Sequence, residues 1–164
     1  MNHDLLTIDL TCSKMKEIKI ELYKSCLDFV NQRIETTDNA IKSARESAND
    51  DTKSSAGDKY ETGRAMMQQE IDNNQLQLNE AKKLKIILDQ IDPEKQYDAV
   101  QLGSLVITNK GNFYISVSAG QLKVDGVIYF AISSISPIGA KLLRLQVNSE
   151  FNFNGKDFKI LEIH

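Results

Sequence analysis

From Ile20 onward, apolar or small residues recur at Ile20, Tyr23, Leu27, Val30, Ile34, Thr37, Ile41, Ala44 and Ala48. The gaps alternate between three and four without a break, which is the seam of a coiled-coil helix. A second stripe of Ile18, Leu22, Cys26 and Phe29 widens the apolar face near the base only. Toward Ala44 and Ala48 the seam narrows to small side chains, which lets a partner helix approach closely. A second helix is expected from about Lys59 to Ile91, with the seam Met67, Ile71, Asn74, Leu78, Ala81, Leu84, Leu88 and Ile91. Asn74 is a polar seam residue of the kind that fixes register at a cost in stability. Pro93 stops this helix, since it cannot donate a backbone hydrogen bond and clashes with the preceding turn. A short connection makes the pair antiparallel. Arms of roughly 30–35 residues give a hairpin on the order of 50 Å long.

After Pro93 the period shortens to two. Val100 to Thr108, Asn112 to Ser118, Val127 to Ile132, Glu150 to Phe153 and Asp157 to Ile163 read as strands. Asn109-Lys110-Gly111, Asp125-Gly126 and Asn154-Gly155 separate them, the last being the strongest hairpin signal in the chain. Pro137 to Leu143 reads as a short helix, with Ser136 as N-cap and Pro137 at its first position. The aromatic residues Phe113, Tyr114, Tyr129, Phe130, Phe151, Phe153 and Phe158 mostly alternate into a sheet core. The fold class is therefore α+β: an N-terminal antiparallel coiled-coil hairpin, then a small antiparallel β domain with one short helix. The expected boundaries are a flexible extension at 1–14, the hairpin at 15–92 and the C-terminal domain at 99–164.

Charge divides the chain in the same place. Residues 1–99 carry 14 Lys/Arg against 19 Asp/Glu, whereas residues 100–164 carry 6 against 4. The net charge of -3 disfavours free nucleic acid as the main partner. No apolar run reaches the ~20 residues of a membrane span, and no basic segment leads into an apolar core as a secretory signal would. Cys12 and Cys26 lack metal-like or redox-like spacing and read as reduced thiols of a cytoplasmic protein. His3 and His164 lie at opposite ends of the chain, which argues against a histidine triad or a His-rich zinc site.

The candidate chemistry lies between the two helical stretches, in Ser54-Ser55-Ala56-Gly57-Asp58-Lys59-Tyr60-Glu61-Thr62-Gly63. Asp58 and Glu61 are three apart at a helix start, which puts both carboxylates on neighbouring surface. Such a pair suits a hard cation such as magnesium, which takes one or two protein carboxylates and keeps several waters. It also suits simple capping, because acids near a helix N-terminus are favoured by the helix dipole. Five acids lie between Glu46 and Glu61, against Lys53 and Lys59, so the tip is acidic either way. Arg33, Lys42, Arg45 and Arg64 read as an ordinary solvated face. Tyr60, between the two acids, could stack on a base or anchor the turn.

Two segments resemble the bacterial transcript-cleavage factors GreA and GreB. Gly57-Asp58-Lys59-Tyr60-Glu61 matches the first part of the tip motif G-D-x-x-E-N. Val100-Gln101-Leu102-Gly103-Ser104-Leu105-Val106 resembles the family's opening C-terminal strand, and Ile135-Ser136-Pro137-Ile138-Gly139-Ala140-Lys141-Leu142-Leu143 its S-P-[IL]-G-x-x-L helix. The likeness spans roughly residues 15–163, with both halves in the family's order. It implies a C-terminal domain similar to FK506-binding proteins, acting as a dock through Ser136, Pro137, Ile138 and Gly139 rather than as a prolyl isomerase. It implies a monomer that binds RNA polymerase, inserts the hairpin into the secondary channel and meets the backtracked RNA 3′ end there. DNA is met only through the polymerase, and no membrane is involved. Asp58 and Glu61 would help hold a magnesium ion shared with the polymerase, whose own active site hydrolyses the RNA, so the chain is not itself an enzyme. Thr62 replaces the motif's Asn, Gly63 follows it, and the connection around 49–55 is several residues longer than usual. Those departures motivate an alternative, a channel-binding regulator without cleavage. A further alternative is an interaction module unrelated to transcription, self-associating through the wide base at Ile18, Leu22 and Phe29.

Overall fold

The computed structural model describes the backbone of residues 3–50 and 57–164, and the side chains of 13–48 and 61–164. Two long helices, α1 (His3–Asp50) and α2 (Gly57–Leu88), precede six strands and one short helix. The strands are β1 (Leu105–Thr108), β2 (Gly111–Ser116), β3 (Gly120–Val124), β4 (Val127–Ser133), β5 (Glu150–Phe153) and β6 (Lys156–Ile163). Helix α3 (Pro137–Leu142) lies between β4 and β5 in sequence. The chain forms two compact units, one of Met1–Leu27 with Ile87–His164, the other Asp28–Ile86. Among the described residues no helix is long and apolar enough to cross a membrane.

Helix α1 contributes to both units and changes its buried stripe between them. In the helical unit the residues buried are those of the seam. Val30, Thr37, Ile41 and Ala44 are buried on α1, Leu78 and Ala81 on α2, and the two helices are in contact. Thr37, a polar seam residue, satisfies its hydroxyl by donating to the Arg33 carbonyl at 2.7 Å. In the sheet unit it is the second stripe, Ile18, Leu22 and Cys26, that is buried, while Ile20, Tyr23 and Leu27 are half-buried. The wider base is thus explained by a second packing partner. Cys26 Sγ lies 3.4 Å from Ser116 Oγ of β2, so α1 covers one face of the sheet. Burial pushes the Cys26 thiol up from its ordinary pKa, which keeps it protonated and inert. The helical backbone begins at His3, inside the segment expected to be an extension.

Helix α2 ends three residues short of Ile91. The chain continues in tightened turns, Gln90 N–H to Ile87 O and Ile91 N–H to Leu88 O, which satisfy carbonyls left over at the helix end. Leu88 and Ile91 are both buried.

The sheet order is β3-β4-β2-β1-β6-β5. It is mixed, not antiparallel throughout as expected, because β2 and β4 run parallel from Asn112↔Tyr129 to Ser116↔Ser133. The cause is β3, which the periodicity does not reveal. It pairs antiparallel with β4 across the Asp125-Gly126 turn, so β4 returns beside β2 in β2's own direction. β3 is an edge strand whose only buried residue is Val124. The first strand is also shorter than expected. Gly103, at φ 90, turns the chain before Leu105, and a Cβ there would stand 2.9 Å from the Tyr97 hydroxyl. Both hairpin signals hold: Asp125-Gly126 and Asn154-Gly155 have positive φ at each position, the requirement of a type I′ turn.

The second sheet face builds its own core from Val100, Val106, Phe113, Ile115, Leu142, Phe158, Ile160 and Ile163. Alternation along β2 therefore assigns Phe113 and Ile115 to this core, and Tyr114 and Ser116 to the α1 side. Phe151 stacks on Phe158 at 5.0 Å between ring centres, and Phe113 meets Phe130 at 5.8 Å.

Candidate functional site

Helix α2 opens at Gly57, so Asp58 belongs to its first turn and Glu61 follows three positions later. Residues i and i+3 of a helix share a face. The backbone thus puts the two sequence-identified acids on one side of α2, next to its N-terminus. Glu61 is exposed; the side chain of Asp58, like those of Asp50 and Tyr60, lies outside the described residues, and Asp51 lies outside them altogether. Thr62 and Arg64 are exposed and Gly63 between them is half-buried. Gly63 has open space around the direction that a Cβ would take.

A pair of carboxylates on one helix face does not by itself make a closed metal site. Two carboxylates supply at most part of a magnesium shell, and the remaining ligands would be water or groups of a partner. Among the described residues no cluster of three or more His, Cys, Asp or Glu side chains comes together.

The basic residues of the two helices divide. Lys42 is taken by Asp38 at 2.8 Å, one turn away, and this contact holds the Asp38 carboxyl below its ordinary pKa. Arg33 lines an open groove of about 450 Å³ with Phe29, Gln32, Thr36, Thr37 and Gln77. Arg45 and Arg64 are exposed. The four do not share one environment, and their reading as an ordinary solvated face stands.

Ser136, Pro137, Ile138 and Gly139 are brought together at the start of α3, but they do different things. Ser136 Oγ accepts from Gly139 N–H at 3.1 Å and donates to the Ser133 carbonyl at 2.6 Å. A Cβ on Gly139 would stand 2.1 Å from that same carbonyl oxygen. Ile138 packs against the sheet core. Ser136, Ile138 and Gly139 therefore build α3, and of the four only Pro137 is exposed. Ile135, just before the cap, is 90% exposed. Lys141 and Arg144 are exposed as well. The motif draws attention to the residues that hold the helix rather than to those it displays.

Within the sheet unit, α1 is fastened to the segment that follows α2. Buried Lys19 donates through Nζ to the Lys95 carbonyl and lies 4.6 Å from the centre of the Tyr97 ring. Lys16 pairs with Glu94 at 2.7 Å. Burial pushes the Lys19 ammonium down to about 8, against an opposing attraction from Asp92. A cation over an aromatic face is favourable, more so when partly desolvated. These contacts are structural in kind.

No protein-family model, curated protein or solved structure matches this chain.

Proposed function

We propose that this chain is a Gre-like accessory factor of RNA polymerase. In this reading α1 and α2 form an antiparallel coiled-coil hairpin that enters the secondary channel, and the sheet unit is an FKBP-like dock at the channel mouth. The observation that carries the proposal is the position of Asp58 and Glu61 on one face of the first turns of α2, at the start of the second of two long helices. Phosphodiester hydrolysis by paired metals needs the second ion held beside the attacking water. Two carboxylates at a tip meet that need and require no nucleophile from this chain. Magnesium, shared with the polymerase, would supply the activation of water; Asp58 and Glu61 would position it and balance its charge.

A second reading keeps the partner and drops the chemistry. Gly63, with no packing contact that needs a glycine, weakens α2 just behind Glu61, and a loosened tip would occupy the channel without holding the ion well. Of the base proposed for self-association, Ile18 and Leu22 are buried within the fold, whereas Phe29 is exposed. The deciding experiment adds the purified protein to backtracked elongation complexes of its own polymerase and follows shortening of the RNA 3′ end. Cleavage that disappears in Asp58→Ala and Glu61→Ala, with binding retained, supports the first reading. Binding with no cleavage by the wild-type chain supports the second.

A further inference from the structure

We infer that Lys19 is a proton-sensitive latch on the segment 92–98: losing a proton favours closure of the segment against α1, and gaining one favours its release. The segment is built to open by itself. It lies between Ile91 and Val100, which are both buried, yet none of its own residues is buried and none is in a helix or strand. Two of its hydrogen bonds stay within it: Glu94 N–H donates to Asp92 Oδ1 at 2.9 Å, and Lys95 N–H donates to the Asp92 carbonyl at 3.2 Å. These shape a turn without fastening it to anything else. An irregular stretch with few buried contacts sits at the low end of local stability. Lys19 reaches from α1 to the middle of this segment, donating to the Lys95 carbonyl and lying 4.6 Å from the Tyr97 ring centre.

The charges around Lys19 set the direction of the response. The residue is 3% exposed, so its ammonium gives up most of its hydration, which disfavours the charged form. Asp92 attracts it and works the other way, as does the ring. Lys95 Nζ lies 5.6 Å from the same ring centre, a second cation drawing on that ring. Lys16, one turn before Lys19, pairs with Glu94 at 2.7 Å. Burial outweighs Asp92 and brings the Lys19 ammonium down to about 8 from an ordinary 10.5. When the segment lifts, water returns and the charged form is favoured again. The open form therefore holds the proton more tightly than the closed form, and closure strengthens as pH rises through about 8 toward 10.5. Burial and Asp92 hold the Tyr97 hydroxyl above its ordinary pKa, so the ring stays neutral from pH 7 to pH 9.

Trypsin supplies the test, because it cuts after Lys95, at the carbonyl that Lys19 holds. The purified full-length chain is digested sparingly at several pH values from 7 to 9, and release of the fragment 96–164 is followed by mass spectrometry. Each rate is divided by that of a free peptide spanning 90–101 at the same pH. The relative rate for wild type should fall about tenfold from pH 7 to pH 9, as a pKa of about 8 when closed and 10.5 when open requires. Lys19→Met, which cannot titrate, and Lys19→Arg, which keeps its charge, should give relative rates that do not change with pH. A flat wild-type profile overturns the latch, even where a variant fails to fold, and so does a fall that survives in Lys19→Met. Cuts after Lys159, inside β6, that appear as fast as those after Lys95 overturn it too, since the whole sheet unit would then be opening.

Discussion

Two glycines in helices should answer the same substitution with opposite signs. Gly63 lies within α2 with nothing inside 4 Å of the point where a methyl carbon would sit, whereas a Cβ on Gly139 of α3 would stand 2.1 Å from the Ser133 carbonyl oxygen and 2.9 Å from Ser136 Oγ. Gly63→Ala therefore collects only the helix-propensity gain, about 1 kcal/mol. Gly139→Ala collects that gain too but must open the contact toward roughly 3.5 Å, ordinary van der Waals separation. The oxygen that has to move is the acceptor of both Ser136 Oγ–H and Ser136 N–H. Overpacking at about 1–3 kcal/mol and a weakened N-cap at about 1 kcal/mol outweigh the propensity gain. The expected net loss is about 1–3 kcal/mol. Urea unfolding resolves the two, with far-ultraviolet circular dichroism reporting the helices and the near-ultraviolet tyrosine signal reporting the sheet unit. Gly63→Ala should raise the helical midpoint, and Gly139→Ala should lower the sheet midpoint. Equal midpoint shifts in the same direction would refute the claim that close approach to Ser133 is what requires a glycine at the start of α3.

Leu22→Ala should cost about 2–5 kcal/mol, because the side chain is fully buried, while Phe29→Ala, over one-third exposed, should cost clearly less; chemical denaturation of the pair checks this. Tyr114 has a buried hydroxyl without a hydrogen-bond partner among the described residues, so Tyr114→Phe should be neutral or stabilising by up to about 1 kcal/mol, read from the same titration. Lys19 has a folded-state pKa of about 8 against an ordinary 10.5, so the unfolded chain holds the extra proton between those values and stability should rise with pH across that window. Lys19→Met should flatten the rise, and the comparison belongs below the titration of Tyr97, Tyr114 and Tyr129, whose raised pKa values pull stability the other way at higher pH. Glu61→Ala should leave unfolding within about 0.5 kcal/mol of wild type, since the residue is an exposed helix acid, so any loss of activity in it is not a loss of fold.

The parts of this fold that are legible in the sequence are the local ones. The three-and-four spacing from Val30 to Ala44 and from Met67 to Ile91 lays out two long helices, because a helical period needs only neighbouring residues to express it. The stripe Ile18, Leu22 and Cys26 is equally visible, but its partner is not: it packs on the face of β2 that carries Ser116, some ninety positions from Cys26. Ser136 and Pro137 announce the cap of α3, since cap chemistry involves only neighbours in sequence. β3 escapes the periodicity because an edge strand with one buried residue has no apolar alternation to detect, and the parallel β2–β4 pairing follows from that omission. The candidate site residues are legible for the same reason. Asp58 and Glu61 are three apart just after Gly57, so their place at a helix start needs only neighbouring residues to express it.

If Asp58 and Glu61 hold a magnesium ion at the polymerase active site, the magnesium dependence of transcript cleavage in backtracked complexes must report it. Wild-type protein should lower the magnesium concentration needed for half-maximal cleavage, Asp58→Ala and Glu61→Ala should raise it again, and high magnesium should partly restore the variants. Variants that cleave more slowly at every magnesium concentration with an unchanged midpoint, or that cleave as well as wild type throughout, would contradict the assignment of these two carboxylates to the ion.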